Sequence, residues 1–391
     1  MSSEIPSRGL SFGGSTVADL RTEEMLLNMG PQHPATHGVL RVLIRTDGEV
    51  VIDCEPHVGY LHRCFEKHCE NVTWLQAVLY TDRLDYLTAM GNNWGYCLAV
   101  EKLFGGDLVV PPRAEHIRVI TQELNRIASH LLAIGTYGMD IGAITPFLYC
   151  FREREKLLYI FETISGQRLN YNYIRPGGVA YDLTDQMVQM IKDFCSYFRP
   201  KVQEYNDLLA ENEIFVARTA NVGILSPELA LQYGCTGPVL RGSGLPRDLR
   251  KDQPYGYYDR FEFDVPVGSG ERGTLGDCFD RFICRVREME QSLRIVEQAV
   301  QTLPSGEYRS SKLKAKIRPP VGEAYTRIEN SRGEVGFYAI SDGKDMAYRL
   351  KCRSPSFHNI SVLPEISRGS MVADLVAIIG SMDIVLGEVD R

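Results

Sequence analysis

The stretch Pro111–Gly135, PPRAEHIRVITQELNRIASHLLAIG, decides the fold class. Its apolar residues Ile117, Ile120, Leu124, Ile127, Leu131 and Ile134 step by 3, 4, 3, 4 and 3 positions. That is one stripe along an α-helix. Pro111 and Pro112 stand at its start, where a missing N–H costs little. Three more segments read the same way. TPFLYCFREREKLLYIFETISG, residues 145–166, offers Thr145 as N-cap, Pro146 as first helical residue and Gly166 as stop. Residues 183–209 begin a helix at Thr184 and carry Met187, Met190, Ile191, Phe194 and Phe198; Pro200 is expected to kink it. Phe282, Val286, Met289, Leu293, Val296, Val300 and Leu303 alternate steps of 4 and 3. Four long helices with narrow apolar seams predict a bundle core.

The flanks have a different period. Residues 24–53 alternate apolar and polar, and Thr46-Asp47-Gly48 sits between apolar runs as a hairpin turn. Residues 23–60 are therefore an N-terminal β-hairpin region. The helical bundle spans 61–303 and includes a loop-rich region at about 215–272. Residues 304–391 form a mixed α/β region, with strand patterns in AYTRIEN, EVGFYAIS and AYRLKCR. It ends in a helix from about Met371 and a buried tail. Residues 1–22, rich in Ser and Gly, are expected to be flexible. The fold class is α+β, mainly α.

Composition narrows the function. The 391 residues carry a net charge of −7, which argues against general nucleic-acid binding. The most apolar C-terminal piece, VADLVAIIGSMDIVLG, is broken by Asp374, Gly380 and Asp383 and cannot span a bilayer unaided. The first twenty residues lack the apolar core of a signal peptide. A cytoplasmic chain is expected, with any membrane association coming through partners. The ten cysteines include no CxxC pair and are expected to be reduced and mostly buried.

Two histidine clusters invite a metal reading. GPQHPATHG, residues 30–38, contains HxxxH, the spacing of two zinc ligands on a helix. Pro34 disfavours helical backbone at His33, and the glutamate of HExxH is missing. HRCFEKHC, residues 62–69, packs two histidines and two cysteines together. Cys64 and His68 would share one helix face and His62 and Cys69 another, so four ligands do not converge. GSGLPRD and GSGERG are not GxGxxG after a strand, which discounts a dinucleotide site, and no P-loop or nucleophile-elbow motif is present. TDRLDYLTAM, residues 81–90, gathers Asp82, Arg83, Asp85 and Tyr86. Asp140 stands among apolar residues in YGMDIGAITPF; if buried, it needs a histidine or arginine partner.

Taken in order, GPQHPATHG, GYLHRCFEK, DRLDYL, PPRAEHIRVITQELNRIASHL, TPFLYCFRERE, NYIRPGG and GSMDIVLGEVDR resemble one family. It is the 49-kDa component of respiratory complex I (NDH-1), related to the large subunit of nickel–iron hydrogenases. The resemblance runs from about residue 24 to the C-terminus. Hydrogenases hold their metals with four cysteines. Asp85, Thr88, Val385 and Glu388 stand at those positions here, and Arg391 stands where they carry a histidine. Soft metals need thiolates, so hydrogenase chemistry is disfavoured.

The resemblance implies a hydrogenase-like bundle whose vacated metal cavity binds a quinone headgroup. It implies that this chain binds no cofactor itself. A 4Fe-4S cluster carried by a PSST-like iron–sulfur partner supplies electrons, and the donor is NADH or ferredoxin. A 30-kDa-like component and a membrane component at the quinone entrance are the other implied partners. The assembly would be a large, proton-pumping hetero-oligomer on the cytoplasmic side of the inner membrane. Carried over by motif, His37 and Tyr86 contact quinone and Asp140 pairs with His37. Arg63 lies near the cluster. Asn170 stands where many relatives carry a histidine thought to couple a proton to cluster reduction. Asparagine cannot titrate, so a low, pH-insensitive cluster potential and a low-potential quinone such as menaquinone are expected. The alternatives are a hydrogenase-like large subunit or a non-catalytic scaffold.

Overall fold

Four long helices form the centre: Pro112–Asp140, Ile144–Ser165, Asp185–Tyr205 and Cys278–Gln301. Each packs on two of the others, closing a ring. The computed structural model describes residues 24–312 and 316–391, so the segment 1–22 lies outside the described residues. The class is α+β, mainly α.

Local chemistry sets the helix ends. Thr184 accepts from the Met187 N–H and Asp277 from the Asp280 N–H, each satisfying an orphan donor of the first turn. Gly166 ends its helix at φ 79, the left-handed cap that glycine adopts without a Cβ penalty. One expected boundary is corrected. The helix before Gly166 starts at Ile144 with Ala143 as N-cap, so Thr145 lies inside its first turn and does not cap it. Pro200 sits within its helix, which continues to Tyr205 and then passes into a π-helical turn, Asn206–Ala210.

The loop-rich region at 215–272 also differs from expectation. It holds the short helices Glu213–Thr219, Pro227–Gln232, Pro238–Gly242 and Leu249–Asp252. They are too short to show a helical period. Several of their charged residues are buried: Arg241, Asp248 and Arg250.

A three-stranded antiparallel sheet, Glu24–Met29, Arg41–Asp47 and Val50–His57, covers one end. A second, Gly322–Asn330, Gly333–Ser341 and Arg349–Arg353, packs on the helix Ala89–Leu103. After it come the helix Val372–Met382 and a short terminal helix, Leu386–Asp390, buried along its length. No helix among the described residues is long and apolar enough to cross a membrane.

The central helix is not a narrow stripe. Arg118, Gln122, Glu123, Asn125, Arg126, Ser129 and His130 are as buried as its isoleucines. Buried charges need partners, and these have them. Arg118 pairs with Glu101 at 2.6 Å, His130 meets Glu288 at 2.8 Å, and Arg250 bridges Glu123 and Asp248.

Candidate functional site

The loop GPQHPATHG joins two neighbouring antiparallel strands, so it leaves and re-enters the sheet at one end. Pro34–Thr36 makes a single 3-10 turn, and the Thr36 N–H and hydroxyl both donate to the His33 carbonyl, at 3.0 and 2.6 Å. A Cβ on Gly30 would lie 2.1 Å from the Leu40 carbonyl oxygen, so only glycine fits there. The turn holds His37 at φ 50, a left-handed conformation uncommon outside glycine.

His37 Nε2 lies 2.8 Å from Asp140 Oδ2, with side chains 14% and 5% exposed. A carboxylate oxygen accepts, so Nε2 is the donor and Nδ1 is left for other partners. Asp140 is the last residue of the long central helix. Gly380, in the helix Val372–Met382, keeps room for the neighbouring Tyr137 ring. A Cβ there would lie 2.6 Å from the Tyr137 ring and 3.5 Å from Asp140 Oδ2.

At the four positions where hydrogenases carry cysteines, Asp85 bonds a buried cation and Thr88 bonds Asp85, while Glu388 and Val385 meet at Ser356. Arg332, in the turn between two strands, is buried. It donates to Asp85 Oδ2 at 2.7 Å, Asp383 Oδ1 at 3.0 Å and Ser129 Oγ at 2.9 Å. Thr88 donates to the same Asp85 oxygen at 2.5 Å. Glu388 accepts from the Ser356 hydroxyl and from the Ser356 N–H at 3.2 Å. The Val385 N–H donates to Ser356 Oγ at 3.3 Å. These residues do not fit a nickel–iron centre: the donors are hard or absent, and they are already engaged with a guanidinium or a hydroxyl. Burial, with the Asp85 charge second, pushes the Glu388 carboxyl up to about 8.

Tyr86 is half-buried beside this cluster. Burial first, then the Asp85 charge, raises its phenol above the ordinary value; Arg332 and Arg63 oppose. Arg63 donates to the Arg83 carbonyl at 2.5 Å and the Gly387 carbonyl at 3.1 Å, tying LHRCFEK to DRLDYL and the C-terminal tail. The tail is also clamped by Asp390, which accepts from the Gly59 and Leu61 N–H groups at 2.7 Å each. A Cβ on Gly38 would touch Leu386, so the His37 loop lies on the same tail. Asn170 has φ 57, and its buried Oδ1 has no partner among the described residues.

His37 and Asp140 thus meet directly. Tyr86, Asp85, Thr88 and Glu388 gather around Arg332, Arg63 braces the same segment, and Asn170 makes no bond to any of them. HRCFEKHC splits: His62 bonds the Asp390 carbonyl and lies 3.6 Å from the Cys64 sulfur, His68 stacks on Tyr80 and Cys69 is buried. A pocket of about 440 Å³ opens on this side, lined by His62, Cys64, Lys67 and Arg391 among others, but not by His37 or Tyr86. Sequence reasoning missed Arg332 and Ser356 altogether and gave Asp383 no role beyond breaking an apolar run and opening the terminal motif. Their residue types and spacing carry no signal of burial.

Residues 140–319 and 310–391 match the family described as respiratory-chain NADH dehydrogenase, 49 Kd subunit. Over 376 residues the chain is 54% identical to the NADH-quinone oxidoreductase D subunit of Chlorobaculum tepidum, covering 95% of this chain and 94% of that protein. The D subunits of Chlorobium luteolum and Prosthecochloris aestuarii are 54% and 52% identical over the same length, with 95% and 94% of those proteins covered. The chain belongs to the 49-kDa subunit family of respiratory-chain NADH dehydrogenases. It is one component of a multi-subunit oxidoreductase complex.

Proposed function

We propose that this chain forms the site where a quinone is reduced and protonated in a proton-pumping NADH (or ferredoxin):quinone oxidoreductase. The partner that completes the site is a PSST-like iron–sulfur protein. The 30-kDa-like component and the membrane component at the quinone entrance flank this chain, and the complex lies on the cytoplasmic side of the inner membrane. The His37–Asp140 contact of 2.8 Å carries the reading: an imidazole fixed by a carboxylate on a rigid loop is suited to give and regain a proton. The partner's cluster supplies electrons. His37 Nδ1 and the Tyr86 hydroxyl address the headgroup oxygen, and Asp140 returns a proton to His37 or passes the signal of its loss towards the membrane.

Tyr86→Phe tests this in the intact complex. It removes the hydroxyl that donates to the headgroup oxygen and gives it a proton, so quinone reduction should fall by about a hundredfold or more, the usual range for losing a general acid. Cluster reduction by the electron donor should be unchanged. Full quinone turnover in the variant would overturn the assignment of Tyr86.

Asn170 sets a second expectation. Its amide does not titrate near neutral pH, so the cluster potential should depend little on pH and lie low, which suits menaquinone. Asn170→His should introduce a slope approaching about 59 mV per pH unit, one proton per electron. Redox titrations at several pH values decide it. A steep slope in the unsubstituted complex would contradict the reading.

A further inference from the structure

The pocket around Arg332 holds more acid than base. Asp85 and Asp383 are balanced by two buried guanidiniums: Arg332 bonds both, and Arg285 lies 3.8 Å from the free oxygen of Asp383. Glu388 is a third acid, 2% exposed. Its contacts are the hydroxyl and N–H of Ser356, and it makes no ion pair among the described residues. A buried carboxylate without a cation is costly; the neutral acid is not.

We propose that Glu388 holds an exchangeable proton in the pocket beside Tyr86 and gives it to Tyr86 after Tyr86 has protonated the substrate oxygen. This rests on the quinone-site reading above. The Tyr86 O–H bond breaks as an O–H bond forms on the reduced quinone, whose electrons come from the donor side of the complex. The carboxylic O–H of Glu388 then breaks and the phenol re-forms. The Glu388 carboxylate that remains is attracted by Arg332 until a solvent proton restores it. Glu388 acts through Tyr86 and is a positioning residue, not a catalytic one.

The groups around Glu388 agree with a proton held at neutral pH. Asp85, from the segment before helix Ala89–Leu103, repels its charge, and Arg332, from the strand turn, attracts it. Cys352, on strand Arg349–Arg353, feels the Glu388 charge and is held neutral by burial. Arg63, from the segment after the 59–61 loop, bonds the tail's backbone at Gly387, and Asp390, on the tail, bonds the 59–61 loop. The carboxyl, pushed up to about 8, is protonated below that pH and loses its proton above it.

The test uses the intact complex carrying Glu388→Gln, which keeps an acceptor for Ser356 and removes the proton. Quinone turnover should fall roughly tenfold, less than for a group that itself transfers a proton to substrate. The fall in turnover above about pH 8 should disappear from its pH profile. Infrared difference spectra should show a carboxylic-acid carbonyl band that titrates near pH 8 in the unsubstituted complex, is absent in Glu388→Gln and persists in Asp140→Asn. Turnover and pH profile unchanged in Glu388→Gln, or no such band, would overturn the proposal. Ser356→Ala covers failure of that variant to assemble. It keeps the acid but removes a hydroxyl that favours the carboxylate, so the alkaline limb should move to higher pH; an unmoved limb would overturn the proposal. If Tyr86→Phe slows turnover while Glu388→Gln does not, only this inference fails. If neither does, the quinone-site reading fails with it.

Discussion

His37→Asn is expected to slow quinone reduction by the intact complex about a hundredfold or more, the usual range for losing a general acid. Asparagine is the informative choice. It tolerates the left-handed backbone held at φ 50, so the loop should keep its shape while the titratable group goes. Asp140→Asn should cost nearly as much. The amide oxygen can still accept from Nε2, but the charge that receives and returns the proton is lost. Because the two side chains act as one unit at 2.8 Å, the double variant should be little slower than either single one. Steady-state donor-to-quinone rates measure this, with cluster reduction as the control that must stay normal. Effects that multiply in the double variant would mean that the two residues act separately.

Part of that pair was legible in the sequence for a physical reason, while the choice of His37 as the partner of Asp140 came from the family resemblance. Pro34 and the glycines at 30 and 38 forbid a helix, so the two histidines cannot be helical zinc ligands, and a rigid loop remains. Asp140 among apolar neighbours calls for a partner. The long helices were legible too, because their apolar period is repeated over many turns. The Arg332 pocket was not. Arg332 lies in NSRGE, which reads as an exposed turn, and nothing local says that the turn is buried against Asp85, 247 positions away. The same holds for Arg118, Glu123, Arg126 and His130. On the sequence they lie off the apolar stripe and read as a solvated face. In the fold His130 meets Glu288 of the helix Cys278–Gln301, Glu123 meets Arg250 of a short helix, and Arg118 meets Glu101 of the helix Ala89–Leu103. A long-range ion pair has no period, so pattern reading cannot see it.

Arg332→Met should be the most destabilising single change in the site. The surrounding structure gives the reason. Asp85 and Asp383 each lose their close charge partner, and both are buried. Asp383 also loses the bond from Nε to its carbonyl at 2.9 Å, which holds a residue at φ 51 at the end of its helix. Removing one member of a buried ion pair costs about 3–5 kcal/mol, because the remaining charge stays in a dry environment without compensation. A loss of that size approaches the whole stability of a typical domain. The variant complex should therefore assemble poorly, and what assembles should lose activity at lower temperature. Arg332→Lys should rescue only part of this, since an ammonium cannot reproduce the guanidinium fork that reaches Asp85, Asp383 and Ser129 together. Arg168→Met is the control: its bonds to Glu155 and Glu162 lie in water, and assembly should be unaffected. Normal assembly and thermal tolerance of Arg332→Met would show that the cation is dispensable. The pocket would then be held by Thr88, Ser356 and the apolar tail alone, and the two aspartates would have to be neutral in the folded protein.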